Sequence, residues 1–146
     1  MDHEQRMLRQ ILRMARAGSA FFSRAAPKIS DAEVRDAFEH VAEVKDRLIG
    51  DLAPLLPDEA ETRAERISAA ISMEKVYVDL EQRFRGEAPA ARARTLGLLE
   101  DQLVRTVARA FDQTHDAILQ ELLKTYHPQL VICREAMSRL RSRQAA

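Results

Sequence analysis

Apolar residues recur along this chain at steps of three and four, and nowhere in the alternation by two that marks a strand. Over residues 3–26, Leu8, Ile11, Ala15, Gly18, Phe22 and Ala25 form one helical stripe, widened by Met7, Met14 and Phe21. Pro27 ends this helix, because the residue before a proline is pushed out of the α region. Ser30-Asp31-Ala32-Glu33 reads as a capping box with Ser30 as the cap, so a second helix starts near 31. Its stripe is Val34, Phe38, Val41, Lys45, Leu48 and Leu52, closed by Pro54 and Pro57. Asp58 with Glu61 repeats the start signal and predicts a third helix over 59–85, with Ile67, Ala70, Met73, Tyr77, Leu80 and Phe84 on one side.

Gly86-Glu87-Ala88-Pro89 marks a break. The next helix carries Leu96, Leu99, Leu103, Val107 and Ala110, and a weaker break follows over 112–116. The last helix presents Leu119, Leu123, Tyr126, Leu130, Cys133, Met137 and Leu140. Pro128 should kink it by clashing with the carbonyl of Lys124. Short connections make consecutive helices antiparallel neighbours. The expected fold is a single all-α domain, an up-down four-helix bundle with one helix interrupted near 86–92.

Charge sharpens this picture by exclusion. Lys and Arg together number 23, as do Asp and Glu, so the formal net charge is zero. Such a chain is a poor partner for nucleic acid or a membrane surface. No apolar run reaches the roughly 18 residues of a spanning helix. The N-terminal Met1-Asp2-His3-Glu4-Gln5-Arg6 lacks the apolar core of a signal peptide. A single cysteine fits a reducing compartment, and a cytoplasmic location is expected.

Candidate chemistry is sparse. A di-iron bundle needs Glu-x-x-His on two helices, since residues three apart share a face. His3, His40, His115 and His127 each lack a Glu three residues earlier. Asp112-x-x-His115 is the nearest match and lies at a break, so His115 reads as an exposed helix-end residue. Glu39 and Glu43 are one turn apart around His40 and flank the helix 2 stripe, which fits a solvated face paired to neighbouring cations better than a metal site. Lys45 is the odd residue, an ammonium on an apolar stripe. One reading pairs it with an internal carboxylate such as Glu74; the preferred reading leaves it at a seam, its stem packed and its head in water. Lys45→Met is then near neutral. Gly18 lies on the stripe and reads as a close-packing position. Cys133 reads as a small buried hydrophobe. Arg134, Arg139, Arg141 and Arg143 gather at a helix C-terminus, where the dipole favours cations.

From Gly18 to Leu52 the chain resembles a bacterial ferritin-like family of stand-alone four-helix bundles of unknown function. The resemblance rests on Gly18, Phe22, Ala25-Ala26, Asp31-Ala32-Glu33-Val34, Phe38, Ala42, the basic Lys45 and Leu52, with a looser match at Phe111, Leu123, Met137 and Leu140. Positions often acidic in that family are Ala17, Val44 and Val104-Arg105 here. The absent ligand set points to a non-enzymatic helical bundle without cofactor, acting through self-association as a homodimer or through a protein partner, and the resemblance implies a stress-associated role for it. The alternative is a di-metal carboxylate bundle holding iron or manganese at Glu39, Glu43 and Glu74. A third reading is an adaptor whose wide apolar faces on the first and third helices bind a partner, which exposure of Phe21, Tyr77 and Val78 would favour.

Overall fold

The computed structural model describes residues 3–57 and 89–145, with side chains described over 3–57 and 94–140. The described residues form helices and short turns, without strands. The predicted helix over 59–85 lies outside them, as do its residues Glu74, Tyr77 and Val78.

Helix α1 spans His3–Ala25 and carries the predicted stripe inward: Leu8, Ile11, Ala15, Gly18 and Phe22 are all buried. A single 3₁₀ turn, Ala26–Lys28, takes the chain out of α1 around Pro27. Helix α2 spans Ala32–Leu52, and a second 3₁₀ turn at Ala53–Leu55 follows. Both turns carry a proline in their first positions, where the missing N–H would have no helical partner in any case.

The cap of α2 departs from expectation. Asp31, not Ser30, is the N-cap: one of its carboxylate oxygens accepts from the backbone N–H of Glu33 at 3.0 Å and of Val34 at 3.2 Å. The helix starts one residue later than a serine cap requires. A carboxylate there satisfies the same orphan donors and adds its charge to the positive end of the helix dipole. Ser30 is exposed. Asp31→Ala should therefore cost about 1 kcal/mol, whereas Ser30→Ala should be silent. Urea midpoints of the two variants check this, and equal midpoints would remove Asp31 from the cap.

Helix α3 spans Pro89–Gln113 and α4 spans Ala117–Ala145. The weak break at 112–116 is a tight turn. Asp116 caps α4, accepting from Ile118 N at 2.9 Å and Leu119 N at 3.0 Å. Thr114, itself buried, accepts from the Asp116 N–H at 3.1 Å. The turn is also tied to the start of α1. Glu4 accepts from the Thr114 hydroxyl at 3.0 Å and from His115 N at 2.6 Å, and His3 meets Gln113 at 2.9 Å. Pro128 lies inside α4, as the sequence places it, and the helix runs through it to Ala145.

Helix α3 packs most extensively on α4, and α1 on α2; contacts of α2 with α4 and of α1 with α3 join the two hairpins. Because α1 begins where α3 ends, and Arg47 and Asp51 near the end of α2 meet Gln129 and Tyr126 of α4, both cross-pairs run antiparallel. One core results, with Ile11, Phe22, Val41, Leu48, Leu123, Leu130 and Met137 almost wholly removed from water. Each such side chain contributes about 1.5–3 kcal/mol on burial.

Candidate functional site

Two charged side chains lie in the middle of this core. Lys45 on α2 is 1 % exposed and Glu100 on α3 is 2 % exposed, and the Lys45 ammonium donates to the Glu100 carboxylate at 2.7 Å. The ammonium also lies 5.8 Å from the ring centroid of Phe22 on α1. The seam position expected for Lys45 is thus corrected. The side chain is inside the fold, because a carboxylate from a helix 55 residues away meets it there and offsets the cost of burying the charge.

Periodicity puts both residues in place. Lys45 follows Val41 by four positions and precedes Leu48 by three. Glu100 does the same between Leu96 and Leu103. The stripe of α3 is therefore Leu96, Glu100, Leu103, Val107 and Ala110, all buried, while Leu99 is only half-buried beside it.

Cys133 on α4 completes the polar neighbourhood. It is fully buried, as expected. Burial pushes its thiol pKa up to about 11; the Lys45 charge lowers it, the Glu100 charge raises it, and Arg47 lowers it. The thiol stays protonated at neutral pH, and only the thiolate is a nucleophile. Cys133 should therefore resist alkylation in the native protein and react at once in denaturant. Native labelling as fast as that of a small-molecule thiol would place it at the surface.

A pocket of about 430 Å³ lies against this pair, between α1 and α3. Lys45 and Glu100 line it, with Met14 from α1 and Leu99 and Leu103 from α3 as apolar wall. Arg105, Thr106 and Arg109 lie further along α3. Arg105 pairs with Asp101 at 2.8 Å, and Arg109 donates to the Thr106 hydroxyl at 3.4 Å.

The other sequence candidates lie elsewhere. Glu39, His40 and Glu43 are exposed on the outer face of α2, and Glu43 stands 3.7 Å from Arg47. His115 sits in the turn between α3 and α4, Asp112 is exposed, and His127 is half-buried on α4. Among the described residues, no group of three or more His, Cys, Asp or Glu is placed to hold a metal ion. Arg134 is engaged with Asp101 at 3.0 Å across α3 and α4. Phe21 is buried at 6 % exposure, stacked edge-on to Phe22, so it is not the exposed contact that the adaptor reading needs. No helix among the described residues is long and apolar enough to cross a membrane.

A second polar contact lies near the end of α2. The Tyr126 hydroxyl donates to Asp51, and desolvation followed by that hydrogen bond raises its pKa to about 12. It locks α2 to α4 and lies outside the pocket lining. No protein-family model, curated protein or solved structure matches the chain.

Proposed function

We propose that this protein is a non-enzymatic, ferritin-like up-down helical bundle, acting through self-association or a protein partner. The observation that carries this reading is the Lys45–Glu100 pair. A carboxylate bundle that holds iron or manganese needs its inward carboxylates free for the ion. Here the buried carboxylate of α3 already has a fixed cation at 2.7 Å, built from the chain itself. Ala17, Val44 and Val104, where the resembled family often carries acids, are buried and apolar, which supports the same assignment. The ferritin-like topology and any link to stress rest on the sequence resemblance over Gly18 to Leu52.

The surface for association is read from apolar side chains left in water. Leu98 on α3 is 60 % exposed, and Ile118 and Ile132 on α4 are 64 % and 49 % exposed. Ile118 and Ile132 are two heptads apart and therefore share a face of α4.

Light scattering and thermal melting of the purified chain, with and without metal, test both halves together. The reading expects a concentration-dependent oligomer that Ile118→Glu with Ile132→Glu dissociates. It also expects no rise in melting temperature with ferrous iron, manganese or zinc. A ligand selective for the folded state adds about 2.7 kcal/mol at a hundredfold excess over its dissociation constant, so a metal-dependent rise abolished by altering Glu39, Glu43 or Glu74 would establish the di-metal alternative. A strict monomer that captures no partner would remove the association.

A further inference from the structure

The pocket between α1 and α3 has properties that a packing role does not use. Its volume of about 430 Å³ falls within the range of roughly 300–1,000 Å³ typical of small-molecule sites. Its floor is the Lys45–Glu100 pair, two charged side chains each more than nine-tenths buried. Among the described residues, Lys45 spends one ammonium N–H on one oxygen of Glu100, leaving two donors and the second carboxylate oxygen uncommitted. A floor that offers donor and acceptor side by side matches a hydroxyl, which is both at once.

The far end has a different character. Of the cationic groups in the described lining, Lys45 is paired with Glu100 and Arg105 with Asp101, which leaves Arg109 as the group that draws an anion. Arg109 bonds only the neutral Thr106 hydroxyl among the described residues, so its guanidinium fork is available for a carboxylate. Arg109 lies nine residues beyond Glu100 on α3, about 13 Å along the axis and two and a half turns on, so the two side chains leave opposite sides of the helix, Glu100 from its buried face and Arg109 from its exposed one, and both line the one pocket across Leu99, Leu103 and Thr106. Met14, Leu99 and Leu103 supply apolar wall for the body of a ligand between the two ends.

We propose that this pocket binds an elongated small organic carboxylate that carries a hydroxyl at its other end. The carboxylate pairs with Arg109, the apolar body lies on Met14, Leu99 and Leu103, and the hydroxyl reaches the Lys45–Glu100 floor. The site stands whether or not the chain associates with itself.

Calorimetric titration with 3-(4-hydroxyphenyl)propionate tests the site, with 3-phenylpropionate and tyramine as comparison ligands. The hydroxylated acid should bind and raise the melting temperature by a few degrees at saturating concentration. Removal of the hydroxyl should weaken binding about tenfold, because it leaves the floor's polar groups unmatched. Tyramine, which carries a cation in place of the carboxylate, should not bind. Arg109→Gln, a change at an exposed position, should weaken the acid at least tenfold, and Met14→Trp should abolish binding by filling the wall. Arg47→Gln, outside the pocket, should leave it unchanged. Absence of binding by the wild-type chain, equal binding of tyramine, or full affinity in folded Arg109→Gln would each overturn the assignment.

Discussion

Glu100→Met lowers the stability of this fold by about 3–5 kcal/mol, because it leaves the Lys45 ammonium in the core without its counter-charge. Lys45→Met costs a similar amount by stranding the carboxylate. The two changes together restore wild-type stability or exceed it by about 1–4 kcal/mol, since an apolar pair of similar volume removes both desolvation penalties. The geometry behind this is the 2.7 Å contact between side chains 1 % and 2 % exposed. Urea unfolding of the four proteins measures it as a double-mutant cycle, with unchanged slopes certifying the same folded and unfolded states. A Glu100→Met protein as stable as wild type would return Lys45 to the seam position that the sequence pattern favoured.

The strong sign in that cycle has a functional corollary. If two methionines pack as well as the ion pair, then stability alone does not explain why Lys45 and Glu100 are charged. A neutral double variant that folds but no longer binds 3-(4-hydroxyphenyl)propionate would tie the pair to the pocket. Binding retained by that variant would assign the pair to core specificity instead.

The helices were legible in the sequence because their signals are local. Stripes at steps of three and four, and prolines at 27 and 54, place α1 and α2 to within a residue or two. The cap falls one position beyond the sequence signal: Ser30-x-x-Glu33 satisfies the spacing of a capping box, while Asp31 offers a better acceptor where the helix starts. The buried residues of α4 match the sequence stripe, Leu119 through Leu140, at every position. The ion pair was half legible. Lys45 stands out as a charge on an apolar stripe, but the pattern favours a seam position with its head in water and offers Glu74, beside a predicted stripe, only as an alternative partner. The signal for Glu100 was present: it lies four after Leu96 and three before Leu103. Leu99 competed for the same face, and apolar character decided the assignment wrongly. Which of two adjacent residues turns inward is settled by the neighbouring helices, and a Lys facing them changes that choice.

Phe22→Ala is the second change with a large expected effect, a loss of about 3–5 kcal/mol. Phe22 is 1 % exposed and joins the two helices of the first hairpin. Its ring meets Phe38 on α2 edge-on at a centroid distance of 4.9 Å, and Phe21 at 5.2 Å. Such aromatic pairs add about 0.5–1.5 kcal/mol beyond the area they bury. The Lys45 ammonium at 5.8 Å from the ring centroid gives the same side chain an electrostatic role. A desolvated cation over an aromatic face contributes up to about 2 kcal/mol. Phe22→Leu separates these shares, since it keeps much of the volume and loses the ring. In the wild-type background it should cost about 1–3 kcal/mol. In the Lys45→Met with Glu100→Met background the cost should fall by about 1 kcal/mol, because no cation remains to lose. Equal costs in both backgrounds would show that the ring serves the ion pair only as packing, and a Phe22→Ala protein near wild-type stability would dismiss the residue as the centre of the hairpin.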